Sequence, residues 1–194
     1  MIRLIIGSLL GGLAQFLVGF VFWGTPLGKI TFRVASDAQN ADVQAALARN
    51  LAPIGAGTYY VPWPDTPAGT VMMGKGPVAL IHFSPAGAAP MDTGALIAGL
   101  VLSILTIFMI GLALHLIAGR VAFFADRLRV LLLFAAATTL YFIVAQPVFN
   151  SYMPWGYWIY TALGDFIGLV AGGFVLVRWF LPRPGQPEAP STLQ

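Results

Sequence analysis

Residues Tyr157–Leu181 read YWIYTALGDFIGLVAGGFVLVRWFL, an apolar run that holds a single carboxylate, Asp165. A helix rises 1.5 Å per residue, so about 20 apolar residues cross a hydrocarbon core of roughly 30 Å. This stretch meets that length, and so do Leu4–Trp23, Thr93–Ala118 and Val130–Phe149. Of the 194 residues, 58% are hydrophobic and 9% charged, with a mean hydropathy of +0.83. A soluble domain of this length needs far less apolar surface. The expected fold is a membrane all-α protein, a four-transmembrane-helix bundle with a small α+β extracytoplasmic module inserted between helices 1 and 2. Its parts are residues 1–23 (helix 1), 24–92 (module), 93–181 (helices 2–4) and 182–194, a proline-rich cytoplasmic tail.

Charge distribution sets the expected orientation. Arg3, Arg120, Arg127, Arg129, Arg178 and Arg183 all fall on one side of the four spans, and the short connection Asn150–Gly156 carries no charge. The positive-inside rule then puts both termini in the cytoplasm and residues 24–92 outside. Lys29, Arg33, Arg49 and Lys75 do not oppose this, since a segment of that length translocates largely regardless of charge. The first helix begins like a signal peptide but has no small-x-small cleavage site before Gly24, which reads as an uncleaved anchor. The chain contains no cysteine, so neither disulfides nor thiolate metal sites are available.

The segment between the first two spans shows a change of period. Ser36 with Gln39 fits a capping box, and Val43, Leu47 and Leu51 form the apolar stripe of a short helix ended by Pro53 and Gly55. Thr58–Val61, Gly69–Met73 and Pro77–Phe83 read as short strands separated by WPDTPAG and GKG turns. Both tethers are short, which would hold the module against the bilayer. Met72, Met73, His82 and Met91 form a soft ligand set, but no Met-x-Met spacing supports a copper site. Gly74-Lys75-Gly76 lacks the remaining elements of a phosphate loop. No metal or cofactor is expected.

Within the spans, Gly7, Gly11, Gln15 and Gly19 recur every fourth residue and share one face; Gly164, Gly168 and Gly172 form a second such face beside Asp165. Small residues at this spacing let membrane helices approach until their backbones touch. Helices 1 and 4 are therefore expected to be antiparallel neighbours. Asp165 lies eight residues in from Tyr157, about 12 Å deep. Gln15 is eight in from Trp23, Tyr141 eight in from Phe149, and Ser103 ten in from Thr93. These depths predict one intramembrane polar layer, with Gln15 donating to Asp165. A bare carboxylate in hydrocarbon costs about 2.5–3.5 kcal/mol on insertion scales, so Asp165 requires either a structural partner or a role with a proton or cation. His115 falls near an interface, where an imidazole reaches water. Pro147 should bend or end the third helix, and Tyr152, Trp155, Tyr157, Trp158 and Tyr160 suit an interfacial aromatic belt.

The first helix ending in Phe-Trp, the module carrying GTYYVPWPD and MMGKGPVALIHFSPAG, and the three closing helices resemble a group of uncharacterised bacterial inner-membrane proteins. That resemblance implies the layout and a bacterial cytoplasmic membrane, and brings with it no activity or functional residues.

Enzyme chemistry has little to work with. Two histidines are expected on opposite sides of the membrane, and there is no carboxylate pair. The leading expectation is a non-catalytic accessory or structural subunit of a larger membrane complex. Its partners would be the lipid bilayer and other membrane subunits or further copies of itself, joined through the glycine-lined faces and the external module, with no nucleic acid. A small transporter or channel built on Asp165 is the alternative, although such proteins usually show broken helices, several buried charges or a duplicated half.

Overall fold

The computed structural model describes residues 1–181. The tail expected over 182–194 lies outside the described residues. Four stretches are long and apolar enough to cross a membrane: Ile2–Trp23 (α1), Thr93–Leu116 (α4), Phe124–Phe149, and Trp155–Trp179 (α7). Between α1 and α4 the chain forms a 3-10 turn, Pro26–Thr31, then α2 (Asp37–Leu51), β1 (Gly57–Val61), α3 (Pro67–Lys75) and β2 (Ala79–Phe83). The protein is thus mostly helical, with four membrane-length helices and one two-stranded sheet.

The first compact unit comprises residues 1–32, 93–150 and 154 onward. Its spine is the antiparallel pair of α1 and α7, and sequence explains the pairing. A Cβ added at Gly11 would come within 2.6 Å of the Gly172 carbonyl oxygen, and one at Gly172 within 2.6 Å of the Gly11 oxygen. The two backbones therefore touch, as small residues allow. On either side of this crossing Gly7 meets Leu176 and Phe180, Gly168 meets Gln15, and Gly164 meets Phe22. Helix α4 packs on the other flank of α1, where Gly12 admits Ile104 and Gly111 admits Leu4 and Leu176. Helix α5 (Phe124–Thr139) packs on α7, with Leu131 seated on Gly173. The buried apolar core, including Leu4, Ile107, Leu114, Leu131, Leu176 and Val177, gathers toward the end where α1 and α5 begin and α4 and α7 finish.

The opposite end is closed by aromatic rings. The Tyr160 hydroxyl donates to the Phe22 carbonyl at 2.7 Å, satisfying one of the orphan acceptors that end α1. Trp23 packs against Tyr157 and Tyr160 with centroids 5.9 and 5.3 Å apart, and Phe32 sits 5.7 Å from Tyr157.

The third span is longer than its apolar run at the start, and it ends at Phe149 as expected after a distortion near Pro147. It starts at Phe124, six residues before the apolar run, because Asp126, Arg127 and Arg129 continue the helix. Toward its far end the α-helical ladder opens into a π-helical turn at Leu140–Val144, where the Ala145 N–H reaches the Leu140 carbonyl. Pro147 follows in α6 (Ala145–Phe149). It lacks the N–H that would bond to Ile143, so the distortion lies one turn before the proline, and the helix ends two residues after it.

The second unit comprises residues 33–92 and 151–153. Helix α2 begins as expected: the Ser36 side chain accepts from Gln39 N–H, and the Gln39 side chain accepts from Ser36 N–H at 2.9 Å. Strands β1 and β2 pair antiparallel, with Thr58 opposite His82, and Thr58 Oγ1 and His82 Nδ1 lie 3.0 Å apart. The strand expected at Gly69–Met73 is instead helix α3. Thr66 caps it by accepting from Gly69 N–H at 2.9 Å, Pro67 occupies the first turn, and Gly76 at φ 67° ends it. This start-and-stop chemistry outweighs the β-branched content on which the strand reading rested. GKG is accordingly the end of a helix rather than a hairpin turn.

The α1–α7 crossing leads to a prediction. Gly11→Ala should destabilise the protein by about 1–3 kcal/mol, the usual cost of overpacking. Gly19→Ala, where a Cβ meets nothing within 4 Å, should be neutral or stabilising by up to about 1 kcal/mol. Thermal unfolding of both variants in the same detergent checks the pair, and equal midpoints would contradict the backbone contact.

Candidate functional site

Most hydroxyls in the spans are satisfied within their own helix. Ser8 donates to Leu4 O at 2.8 Å, Ser103 to Gly99 O at 2.9 Å, Thr106 to Leu102 O at 2.9 Å, and Thr139 to Ala135 O at 2.8 Å. Each is an i to i−4 bond, the cheapest way to bury a hydroxyl where water is absent. Ser8 and Thr139 are buried and were not among the expected site residues.

The four residues expected to share a polar layer are not joined by hydrogen bonds among the described residues. Ser103 is occupied by Gly99. Tyr141 lies in the π-helical turn, 68% exposed, with its ring against Phe142. Gln15 packs on Gly168 in the α1–α7 seam, and its Oε1 is buried without a donor. Asp165 is exposed and makes no hydrogen bond or ion pair among the described residues. Counting residues inward fixes depth but not direction around a helix. Asp165 follows Gly164 by one residue and so stands about 100° from the seam that Gly164, Gly168 and Gly172 face. That rotation turns the carboxylate away from Gln15's face.

The glycine faces were expected to receive another subunit. Gly7, Gly11, Gly164, Gly168 and Gly172 are instead filled by α1 and α7 themselves, and Gly19 borders open space. A cleft of about 550 Å³ is open in this unit between α4 and α5, floored by Leu169 of α7. Asp165 lies four residues before Leu169, on the same face of α7 and one turn nearer its start. Sequence reading missed the cleft because it follows from which helices do not pack closely on one another. The strong seams join α1 to α7, α1 to α4 and α5 to α7, and no comparable seam joins α4 to α5.

Arg127 is a second feature that the sequence did not reveal. It is 4% exposed, and its Nε donates to the Val121 carbonyl at 2.8 Å. Buried arginines are rare unless satisfied, and this bond ties the connection after α4 to the first turn of α5. With Phe123, Phe124, Val177, Arg178 and Leu181 it lines a further cleft of about 540 Å³. The nearby ion pair is Arg129 to Asp126 at 3.0 Å, largely exposed and worth little on its own.

No group of three or more His, Asp or Glu residues that could hold a metal ion occurs among the described residues. His82 contacts Thr58 across the sheet. No protein-family model, characterised protein or solved structure matches this chain.

An acid without a partner among the described residues gives a clear expectation. Neither Asp165→Asn nor Asp165→Leu should lower the unfolding midpoint of the purified chain, and Leu can raise stability by up to about 2.5–3.5 kcal/mol, the insertion cost of the carboxylate. Thermal unfolding in detergent at neutral pH measures this. A loss confined to Asp165→Leu would reveal a hydrogen-bonded partner.

Proposed function

We propose that this chain is a non-catalytic, accessory or structural subunit of a larger assembly in a bacterial cytoplasmic membrane, with both termini cytoplasmic and residues 24–92 periplasmic. The orientation is supported by the arginines that cluster at one end of the spans. The observation that carries the subunit reading is the state of residues 33–92. Across those sixty residues the one buried residue is Gly69, and no apolar side chain is buried. Val43 is 60% exposed, Ile54 70% and Trp63 60%.

A soluble domain of this size is marginal even with a core. An apolar surface left open on a folded unit marks an interaction site. Helix α2 illustrates the point: it has a complete capping box and an apolar stripe of Val43, Leu47 and Leu51, yet none of its residues is buried. The surface for a partner is therefore this unit, in place of the glycine faces that α1 and α7 fill themselves.

A second reading rests on Asp165. An exposed carboxylate in a membrane-length helix, unpaired among the described residues, suits proton or cation passage, and a small transporter or channel is the alternative function.

Two measurements separate these readings. Tagged protein purified in mild detergent from its native membrane should carry a stoichiometric companion or a further copy of itself. Val43→Asp should remove the companion without shifting the unfolding midpoint, because Val43 is already exposed. A single monomeric species would overturn the subunit reading. In proteoliposomes, dissipation of an imposed pH gradient that disappears in Asp165→Asn would establish the alternative, and identical rates for both proteins would dismiss proton passage.

A further inference from the structure

Asp165 continues the floor of the α4–α5 cleft, and the register of α5 on α7 places it there. Leu131 of α5 is seated on Gly173 of α7. The two helices run antiparallel, since Phe123 and Arg127 share their cleft with Leu181 and Val177. One turn from the Gly173 contact, toward the start of α7, Leu169 and Ala135 both line the α4–α5 cleft. A further turn brings Asp165 level with Thr139 and its neighbour Thr138, about 12 Å from that contact. Thr138 is the last residue of α5 that lines the cleft. Of the hydroxyls at Ser8, Ser103, Thr106, Thr138, Thr139 and Thr161, that of Thr138 alone makes no hydrogen bond among the described residues. The cleft is thus apolar along most of its length, with an acid and a hydroxyl at one level at its end, both unpartnered among the described residues.

That combination selects an occupant. Hydrocarbon can fill the apolar length but gives a carboxylate nothing, whereas membrane helices hold together by close packing and polar contacts. Ionisable groups inside spans pair with one another. A divalent cation is poorly served: calcium takes about 6–8 oxygens, and no group of three or more His, Asp or Glu residues occurs among the described residues. A second copy is poorly served too. Asp165 is mid-span in α7 (Trp155–Trp179), while the basic residues of the spans, Arg3, Arg127, Arg129 and Arg178, all lie within six residues of a helix end. Another copy therefore has no cation to set at that depth. We propose that a transmembrane helix of a different subunit lies along the α4–α5 cleft and sets a lysine or arginine against Asp165, with the Thr138 hydroxyl accepting from the same cation. This rests on the subunit reading and adds to it a contact inside the membrane.

The test is photo-crosslinking of the full chain in its native membrane, with p-benzoyl-phenylalanine in place of Phe134 or, on the facing wall, Met109. Both side chains are exposed and line the cleft; Leu133, exposed but outside the lining, is the control position. Mass spectrometry identifies the crosslinked peptide. The expected result is one transmembrane segment, bearing a lysine or arginine, from both cleft positions, and little product from Leu133. Asp165→Asn should lower the cleft crosslinks by about tenfold or more, the scale of an unpaired charge in hydrocarbon, and Asp165→Glu should keep most of them. Asp165→Lys together with an aspartate in place of the partner's basic residue should restore them. Crosslinks to lipid alone, to another copy of this chain or to a span without a basic residue would each overturn the proposal, as would product unchanged in Asp165→Asn. If a companion still co-purifies in those cases and is lost in Val43→Asp, the subunit reading stands without this contact. No companion at all would remove both.

Discussion

The contact between Gly11 and Gly172 is the constraint from which the rest of the bundle follows. Inside a bilayer no hydrophobic force drives helices together, since lipid tails are as apolar as leucine, so association depends on close packing and polar contacts. Here the close packing is backbone on backbone, between the first span and the last. Once α1 and α7 lie against each other, α4 has one place to go, the flank of α1 opened by Gly12, and α5 has another, the flank of α7 opened by Gly173. The two helices that are consecutive in sequence, α4 and α5, are thereby set mainly on different supports, with α4 reaching α7 only through contacts such as Gly111 on Leu176. Their separation leaves the cleft that Leu169 floors, so the same glycines that close one seam open another.

Polar groups in the spans divide by whether a helix can satisfy them alone. Serine and threonine hydroxyls reach the carbonyl four residues back, and Ser8, Ser103, Thr106, Thr139 and Thr161 all do so. A carboxylate has no proton to give when charged, and a glutamine carbonyl needs a donor from elsewhere. Asp165 and the Gln15 Oε1 are groups in this bundle for which the local solution fails, and neither has a partner among the described residues. Their chemistry depends on what the bilayer or another molecule supplies.

Length and hydropathy made the four spans legible, and the period of glycines made the α1–α7 pairing legible, because both are properties of a single helix read along its axis. The capping box at Ser36 and Gln39 was equally local and equally clear. Azimuth and absence were not legible. Asp165, Tyr141, Gln15 and Ser103 stand at similar residue counts from the ends of their helices, yet each points where its own helix is rotated, and a residue count carries no information on that. Arg127 looked like one of several topogenic arginines, and nothing in its neighbours marks it as buried. In α3, Thr66, Pro67 and Gly76 held the decisive signals, but they were assigned to turns because Val71 and its neighbours suit a strand. Two residue classes pointed in opposite directions there, and caps, which fix backbone donors, outweighed side-chain preference.

The two surfaces left incomplete differ in the solvent they expect. The α4–α5 cleft belongs to helices of membrane length and its walls are almost wholly apolar, so the bilayer itself can fill it. Residues 33–92 carry apolar exposure alongside a capping box, an antiparallel ladder and charged side chains, a combination that suits contact with water on one side and protein on the other. Hydrocarbon that fills the first surface does nothing for Val43 or Trp63. On the subunit reading, the second takes a partner whose own surface is shaped and partly polar. The two units therefore meet separate requirements, and filling one leaves the other unmet.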